Sequence, residues 1–216
     1  MKVKYPSLRV HPDPILREKA SDYRFGPCPE RDLRRVLDDL WRWCRVVGAE
    51  GLAATQLGWT VRAAVIREDF GNCLDLINPE IVELHGRAAD IERSASLPGI
   101  GVRVERPTAL RARYWDRFGQ ERMFTTEGRR ARSFQQAVDH LDGVTLLDRA
   151  HPEDLLRIKD LVSDLEAHQV KVHPELRRKA SILPSARVQI PSQPGSSSLL
   201  WLRAPDGTSG SRGTLA

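Results

Sequence analysis

The sequence has few cysteines and no long apolar stretch. Its three cysteines, Cys28, Cys44 and Cys73, are odd in number and form no CxxC pair, so the chain is not predicted to be a disulfide scaffold and fits a reducing compartment. No apolar run approaches the roughly 18 residues that span a bilayer. The first ten residues, MKVKYPSLRV, lack the apolar core of a signal peptide. These absences predict a cytoplasmic protein that does not act in a membrane.

The length and charge of the chain indicate a single folded domain with a basic surface. It has 216 residues, of which 40% are apolar, enough to build one hydrophobic core. A net charge of +5 and an isoelectric point of ≈ 9.4 are compatible with contact to nucleic acid or a ribosome surface. However, the basic residues are spread out and form no patch interleaved with aromatic residues, so sequence-specific nucleic-acid binding is not expected. We expect a monomer.

Apolar periodicity predicts three amphipathic helices, over residues 30–47, 128–142 and 151–169. The first repeats apolar residues at 3–4 spacing, and Gly48 follows it as a stop signal. The third has Pro152 in its first turn, which suits a helix start. Its apolar stripe consists of Leu155, Ile158, Leu161, Val162 and Leu165.

Strand-forming segments lie between the first two predicted helices. They include residues 61–66, residues 73–84 and residues 110–116. We interpret the second of these as two short strands on either side of the Asn-Pro pair at Asn78. A turn around Gly119 indicates that the last segment continues into a hairpin strand.

The composition changes after about residue 170. Residues 170–216 are rich in proline, serine and glycine and cannot bury enough apolar surface to fold alone, so they predict a disordered tail. The folded domain is therefore predicted to span residues 1–169.

The stretch FQQAVDHLDG, residues 134–143, comes close to a metal-binding helix motif. In HExxH, two histidines on one helix face bind a metal, and the glutamate between them acts on the metal-bound water. That pattern requires histidine at 136 and glutamate at 137, where this sequence has Gln136 and Ala137, and only His140 matches. Helical periodicity alone places Arg129, Gln136 and His140 on one polar side. It favours a solvent-exposed face over a metal site.

Three short motifs, taken in order, change this interpretation. They are AEGLAATQLG, with Gly51, Leu52, Ala53, Ala54 and Gln56; ERSASLPG, with Glu92, Ser96, Pro98 and Gly99; and ARSFQQAVDHLDG, with Arg132, Gln135, Asp139 and His140. With the flanking segments HPDPILR, LINPEIVE and HLDGVTLLDR, they make the sequence resemble the peptide deformylases over about residues 6–166. The resemblance implies an α+β fold in which antiparallel strands surround a central helix, with an N-terminal and a C-terminal helix.

The resemblance also implies a role for each position of the site. In that family a metal, iron(II) and also nickel, cobalt or zinc, is held by the cysteine of the second motif and both histidines of the third. The corresponding positions here are Ser94, Gln136 and His140. The glutamate that handles the proton corresponds to Ala137. The glutamine that stabilises the oxyanion, as formate leaves the N-terminal methionine, corresponds to Gln56.

The same correspondence predicts the residues around the substrate. The cleft is expected to include Gly51, Leu52, Gln56, Ser94, Ala95 and Arg132. Two of these have open interpretations. Gln56 either lines a peptide cleft or fills a buried polar space. Arg132 either pairs with Glu92 across the site or is an ordinary surface charge.

The departures from the family pattern change the expected chemistry. A neutral serine hydroxyl lacks the charge and softness of a thiolate, and general acid–base catalysis alone contributes about 10²–10⁴-fold in rate. Because two of the three ligands and the general acid–base are replaced, we expect no metal cofactor and no deformylase turnover. Instead, Ser94, Gln136 and His140 are predicted to converge and to hydrogen-bond one another.

Three functional hypotheses remain. The first is a catalytically inactive deformylase homologue that keeps the fold and binds a nascent peptide, or a ribosome surface through its last helix and tail. The second is an active metal-dependent or otherwise unusual amidase that acts on formylated peptides through His140. The missing glutamate counts against it. The third is a relic without a selected activity.

Overall fold

The computed structural model describes residues 7–26, 30–68 and 72–172. The predicted tail from residue 173 onward lies outside the described residues, as does Cys28. Within the described ranges, no helix combines the length and the apolar character that a membrane crossing requires.

Within these described ranges, antiparallel strands form two sheets. The strands are β1 (Gly51–Ala53), β2 (Ala63–Arg67), β3 (Cys73–His85), β4 (Ala88–Ser94), β5 (Leu97–Arg106), β6 (Ala109–Trp115) and β7 (Glu121–Glu127). The larger sheet has the order β1-β2-β3-β6-β7, and β4 pairs with β5 in a separate hairpin. Every pairing between these strands is antiparallel. The predicted hairpin around Gly119 is confirmed as β6 and β7.

Four α-helices accompany the sheets in the described part of the chain, and the predicted α+β class is confirmed. They are α1 (Glu30–Val47), α2 (Gly128–Leu141), α3 (Leu146–Arg149) and α4 (Pro152–Val172). Periodicity predicted the bounds of α1 as observed and those of α2 to within one residue. Gly48 follows α1 with a φ of 65°, the left-handed conformation in which glycine ends helices. The short α3 was not predicted, because four residues carry no periodic signal.

β3 is one strand, whereas the sequence predicted two. Asn78 has a φ of 49°, and the register with β6 shifts between Ile77 and Glu80, so the irregularity is a bulge. The side chain of Asn78 accepts a hydrogen bond from the backbone N–H of Tyr23 and donates one to the Tyr23 carbonyl oxygen, both at 2.8 Å. These contacts stabilise the bulge, so the Asn-Pro pair distorts the strand without ending it.

Three groups of buried apolar residues position the helices. α2 packs on the larger sheet through a cluster that includes Ala131, Phe134 and Leu141. α1 packs on the same sheet through its own periodic residues, which join Leu52 and Ile77 in a second cluster. A third cluster connects β5 with α3 and α4. The core therefore packs α1 and α2 on the large sheet, and α3 and α4 on the smaller hairpin.

Only part of the predicted apolar stripe of α4 is buried. Ile158 and Leu165 are buried, whereas Leu155 and Leu161 are 38% and 45% exposed. The buried line is narrower than predicted because the helix packs mainly against one strand, β5. The helix also continues three residues beyond the predicted end at residue 169.

Phe134 provides a test of the core under α2. Its side chain is fully buried and stacks on Phe124 with ring centroids 6.1 Å apart. Phe134→Ala is expected to lower the free energy of unfolding by about 3–5 kcal/mol, because lost apolar contacts and the new cavity both destabilise the fold. Urea unfolding measures the change. Phe118→Ala, at a side chain 75% exposed, is the control and should cost less than about 0.5 kcal/mol. Equal losses would contradict this core.

Candidate functional site

His140, in the last turn of α2, is buried. Only 2% of its surface is exposed, so the expectation of a solvent-exposed face is wrong at this position. Periodicity describes only the helix itself, whereas the side of α2 that carries His140 is covered by other elements. Thr55, in the turn after β1, donates a hydrogen bond to the His140 carbonyl oxygen at 3.0 Å. Burial lowers the pKa of His140 to about 4, so the imidazole is neutral near pH 7.

A hydrogen bond joins His140 to Ser94, the last residue of β4. Ser94 Oγ lies 3.1 Å from His140 Nε2. The same oxygen accepts a hydrogen bond from the backbone N–H of Ser96 at 3.2 Å and lies 3.5 Å from Gln56 Nε2. Because two donors face this oxygen, the Ser94 proton is assigned to the bond with Nε2. The proton of His140 is then on Nδ1, which is buried and has no hydrogen-bond partner among the described residues.

Gln56 belongs to the same polar group. Its surface is 3% exposed, and its side-chain oxygen accepts a hydrogen bond from the backbone N–H of Ala53 at 2.9 Å. Its Nε2 donates to Ser96 Oγ at 3.1 Å. We name Gln56, Ser94, Ser96 and His140 the serine–histidine cluster. These contacts match the interpretation in which Gln56 fills a buried polar space.

Gln136 and Ala137 stand outside the serine–histidine cluster. Gln136 is half-buried, and its Nε2 donates to the backbone carbonyl of Arg93 at 3.0 Å. Ala137 is 3% exposed and packs in the apolar group between α2 and the sheet. Of the predicted three-way network, the described contacts include the bond between Ser94 and His140 but none from Gln136 to either partner. The helix directs Gln136 to the neighbouring backbone instead.

Three further predicted cleft residues, Gly51, Leu52 and Ala95, are neighbours in sequence of the residues that contact Gln56. Gly51 begins β1, where an added Cβ would lie 3.1 Å from the Val65 carbonyl oxygen, so the close approach of β2 favours glycine. Leu52 is buried, and Ala95 is partly buried, in the apolar cluster beneath α1. Leu52 and Ala95 therefore contribute to the core, and the place of these three residues in a substrate cleft stays a prediction.

Arg106 joins two buried carboxylates from different elements. Its Nε donates to both carboxylate oxygens of Glu92 on β4, at 2.9 and 3.1 Å. Its Nη1 donates to Asp139 on α2 at 2.7 Å. Arg149 adds a second cation, 2.6 Å from Asp139. Because Arg106 is only 4% exposed, these charges are largely removed from water and depend on one another.

Arg132 ties α2 to the hairpin. Its Nε lies 3.0 Å from Glu92 Oε1, so the predicted ion pair is confirmed and the interpretation as an ordinary surface charge is wrong. Its Nη1 donates to the carbonyl of Ala88 at 3.0 Å, and its Nη2 donates to the carbonyl of Val104. The guanidinium therefore contacts both strands of the hairpin. The place of Arg132 in a substrate cleft stays a prediction.

Arg106 was missed from the sequence, although a signal for it was present. Val102, Val104 and Arg106 alternate with less buried neighbours along β5, so the arginine occupies an inward position of the strand. A charge in that register needs a buried partner of opposite sign. Arg106 lies outside all three motifs, which is why the resemblance did not reveal it.

The side chains at the predicted metal position include one imidazole. His140 Nε2 is a nitrogen of the type that divalent transition metals bind. Ser94 provides a neutral hydroxyl, and Gln136 provides a neutral amide that is hydrogen-bonded to backbone. This donor set does not fit the metal that the family resemblance implies. In the described part of the chain, no three His, Cys, Asp or Glu side chains are grouped to hold a metal ion.

The fold and the site define the class of protein. A central helix that brings a histidine to the end of an antiparallel hairpin, beside a glutamine after a Gly-Leu-Ala-Ala segment, forms an α+β scaffold of the deformylase type. A sequence model of the polypeptide deformylase family matches residues 6–155. The chain belongs to the polypeptide deformylase family.

Individual relatives agree with this assignment. A peptide deformylase from Desulforudis audaxviator is 42% identical over 142 residues, which cover 65% of this chain and 90% of the relative. One from Thermotoga petrophila is 34% identical over 161 residues, covering 73% and 94%. A plant peptide deformylase crystal structure aligns with a TM-score of 0.73 at 26% identity, over 86% of this chain and 98% of that chain. A Plasmodium falciparum deformylase structure gives 0.70 at 27%, over 77% and 99%.

The buried charge network predicts a large effect of removing Arg106. Arg106→Met is expected to lower the free energy of unfolding by about 3–5 kcal/mol, because Glu92 and Asp139 lose a cation in a desolvated site. Urea unfolding at pH 7 measures the loss. Arg111→Met is the control, because Arg111 pairs with Glu83 on the exposed surface at 3.3 Å, and should cost less than about 1 kcal/mol. Similar losses for the two variants would contradict the network.

The buried imidazole of His140 predicts a pH dependence of stability. Its pKa is about 4 in the folded protein against 6.5 for an ordinary histidine, so between these values the unfolded chain binds more protons. The contribution is fully present above about pH 6.5 and decreases as the pH falls toward 4, by about 2–3 kcal/mol between pH 7 and 4.5. Urea unfolding should show a smaller loss over this range for His140→Gln than for the wild type. His85→Gln, at an exposed histidine, should behave as the wild type. An unchanged pH dependence in His140→Gln would exclude this role.

Proposed function

We propose that this chain is a non-catalytic member of the polypeptide deformylase family, which binds no catalytic metal and does not remove formyl groups from peptides. The observation that carries the proposal is the 3.1 Å hydrogen bond between Ser94 Oγ and His140 Nε2. In the family, the corresponding side chains are both metal ligands. Here Ser94 Oγ and His140 Nε2 hydrogen-bond each other within a buried cluster.

The side chains at the two changed ligand positions are poor metal ligands. The Ser94 hydroxyl is neutral at physiological pH and already receives a hydrogen bond from the Ser96 N–H. The Gln136 amide is also neutral and donates to the Arg93 backbone. Changes to residues that only support ligands cost about 10–100-fold in metal affinity, and here two direct ligand positions differ.

The residue at the position of the general acid–base supports the proposed loss of turnover. Ala137 carries no group that transfers a proton, and its methyl group packs in the core of α2. The rate contribution of about 10²–10⁴-fold from general acid–base catalysis is therefore missing, in addition to activation of water by a metal. His140 does not replace this group, because it is buried and its Nε2 is engaged by Ser94. An unusual amidase acting through His140 has correspondingly less support.

A peptide remains the proposed partner of the retained fold. Among the described strands, β4 pairs only with β5, and an unpaired strand edge is a surface to which an extended peptide can add. Two β4 carbonyls, those of Ala88 and Arg93, accept hydrogen bonds from Arg132 and Gln136. A peptide that adds to β4 through these carbonyls would compete with both side chains. Such competition favours weak, reversible binding.

Restoring the family residues tests the proposal. The wild type is expected to purify without stoichiometric metal and to show no deformylation of formyl-Met-Ala-Ser. The triple variant Ser94→Cys, Gln136→His and Ala137→Glu is expected to bind a divalent metal and to raise deformylation by at least about 10²-fold, because ligands and general acid–base are restored on an intact fold. Elemental analysis measures the metal, and formate release measures the turnover.

Two controls separate the ligand positions from general effects of the substitutions. Replacing Ser96 with Cys, instead of Ser94, moves the thiol by two residues and should leave the variant inactive. Ser94→Cys with Gln136→His alone should bind metal with little turnover, because it lacks the glutamate. Stoichiometric metal and turnover in the wild type would overturn the proposal.

A further inference from the structure

Two free cysteines lie where the end of α1 and the start of β3 share one buried apolar cluster. Cys44 lies in the last turn of α1, and Cys73 is the first residue of β3. Both are free thiols and belong to the same buried apolar cluster. Their surfaces are 0% and 8% exposed. Residues that are distant in sequence are therefore neighbours inside the protein.

Backbone hydrogen bonds hold this pair in place. The pairing of β2 with β3 sets Arg67 opposite Cys73. The Arg67 N–H donates to the Glu50 carbonyl at 2.8 Å, and the Ala49 N–H donates to the Cys44 carbonyl at 3.0 Å. The chain that follows Cys44 is thus bonded to the strand beside Cys73, so the separation of the two thiols is fixed by regular structure.

The two thiols are neighbours within this cluster, and each influences the pKa of the other: the Cys44 side chain lowers the pKa of Cys73, and the Cys73 side chain raises the pKa of Cys44. Cys44 Sγ also lies 3.1 Å from the carbonyl oxygen of Ala49, to which it can donate. Conversion of such a pair to a disulfide requires loss of two hydrogens and approach of the sulfurs to about 2.05 Å.

We propose that Cys44 and Cys73 form a reversible disulfide when the protein meets hydrogen peroxide or another hydroperoxide. The odd number of cysteines argues against a permanent disulfide scaffold, whereas a reversible pair is compatible with a reducing compartment. The proposal is independent of the proposed function, because neither cysteine belongs to the serine–histidine cluster.

The oxidation proceeds in two balanced steps. Cys73 ionises, and its thiolate attacks one oxygen of the peroxide, so that the O–O bond breaks and a sulfenic acid forms. The proton lost on ionisation converts the released hydroxide to water, or the released alkoxide to an alcohol. Cys44 then attacks the Cys73 sulfur, the S–S bond forms, and the S–O bond breaks. The second hydroxide leaves as water with the Cys44 proton. One peroxide is reduced to two waters, or one water and an alcohol, and two thiols are oxidised to one disulfide.

The surroundings assign the attacking role to Cys73. The neighbouring Cys44 side chain lowers the pKa of Cys73, burial opposes this effect, and the nearby Arg45 and Arg67 lower the pKa further. The Cys73 side chain and burial raise the pKa of Cys44. Cys73 also retains some exposed surface. Because the thiolate is the nucleophilic form, the cysteine with the lowered pKa and the greater exposed surface reacts first with a peroxide, and its partner resolves the sulfenic acid.

The disulfide would stabilise the segment that leads to Gln56. It closes a loop of about 30 residues, and loops of this length restrict the unfolded chain substantially when cross-linked. β1, the turn with Gln56 and β2 all lie within this loop. Oxidation is therefore expected to restrict motion of the chain segment that carries Gln56, although neither cysteine belongs to the serine–histidine cluster.

Mass spectrometry of the full chain after peroxide treatment tests the proposal. Cys28→Ser is the reference, because it keeps the pair and removes the third cysteine. Oxidation is expected to lower its mass by about 2 Da, to yield a cross-linked peptide that contains Cys44 and Cys73, and to be reversed by dithiothreitol. Its Tm is expected to rise by about 5–10 °C on oxidation.

Single replacements in the same background identify the order of the two steps. Cys44→Ser is expected to stop at a sulfenic acid on Cys73, about 16 Da heavier and trapped by dimedone. Cys73→Ser is expected to remain unmodified. Circular dichroism checks that both variants fold, and where one does not, the Cys28→Ser cross-link alone decides. Two thiols that remain free to alkylation in folded Cys28→Ser after peroxide, or a wild-type cross-link through Cys28, would overturn the proposal.

Discussion

The guanidinium of Arg106 is the interaction on which the geometry of the site depends. It lies between Glu92 on β4 and Asp139 on α2, with contacts of 2.9 and 2.7 Å. Ser94 follows Glu92 by two residues, and His140 follows Asp139 directly. One buried cation therefore fixes the two elements that bring Ser94 and His140 together. Since an unpaired charge in this place would cost several kcal/mol, the separation between β4 and α2 has little freedom.

This frame is independent of the residues that would bind a metal. The charge network uses Glu92, Arg106 and Asp139, while the family's ligand positions are occupied by Ser94 and Gln136. A hydroxyl can accept two hydrogen bonds and donate one, and the neighbours of Ser94 provide two donors and an imidazole acceptor. The serine is therefore fully satisfied without an ion. Such satisfaction explains how the fold is kept while the ligand chemistry differs.

The outline of the fold was predictable from the sequence, but contacts between elements were less so. Periodicity located α1 and α2, because a helix that packs on one face repeats its apolar residues. It failed at His140, since a second group of elements covers the polar side of α2, and no pattern within the helix records that cover. It also divided β3 at Asn78, because an Asn-Pro pair usually interrupts a strand. The contacts with Tyr23 and Arg62 that stabilise the bulge come from distant parts of the chain and leave no local pattern. Motif spacing brought Ser94 and His140 together correctly, whereas Arg106 had a signal only in the alternation of β5.

The surroundings of Ala137 connect the absent glutamate with the poor metal ligands at positions 94 and 136. Ala137 is 3% exposed and lies among apolar side chains. A carboxylate placed there without a nearby cation would lose its hydration and would either remain an unpaired charge or take up a proton. A metal ion would supply the compensating charge, but Ser94 and Gln136 are poor ligands for one. With these two residues in place, an alanine at 137 is therefore the more stable choice. The three departures form one consistent set, in which each neutral side chain suits a site without an ion.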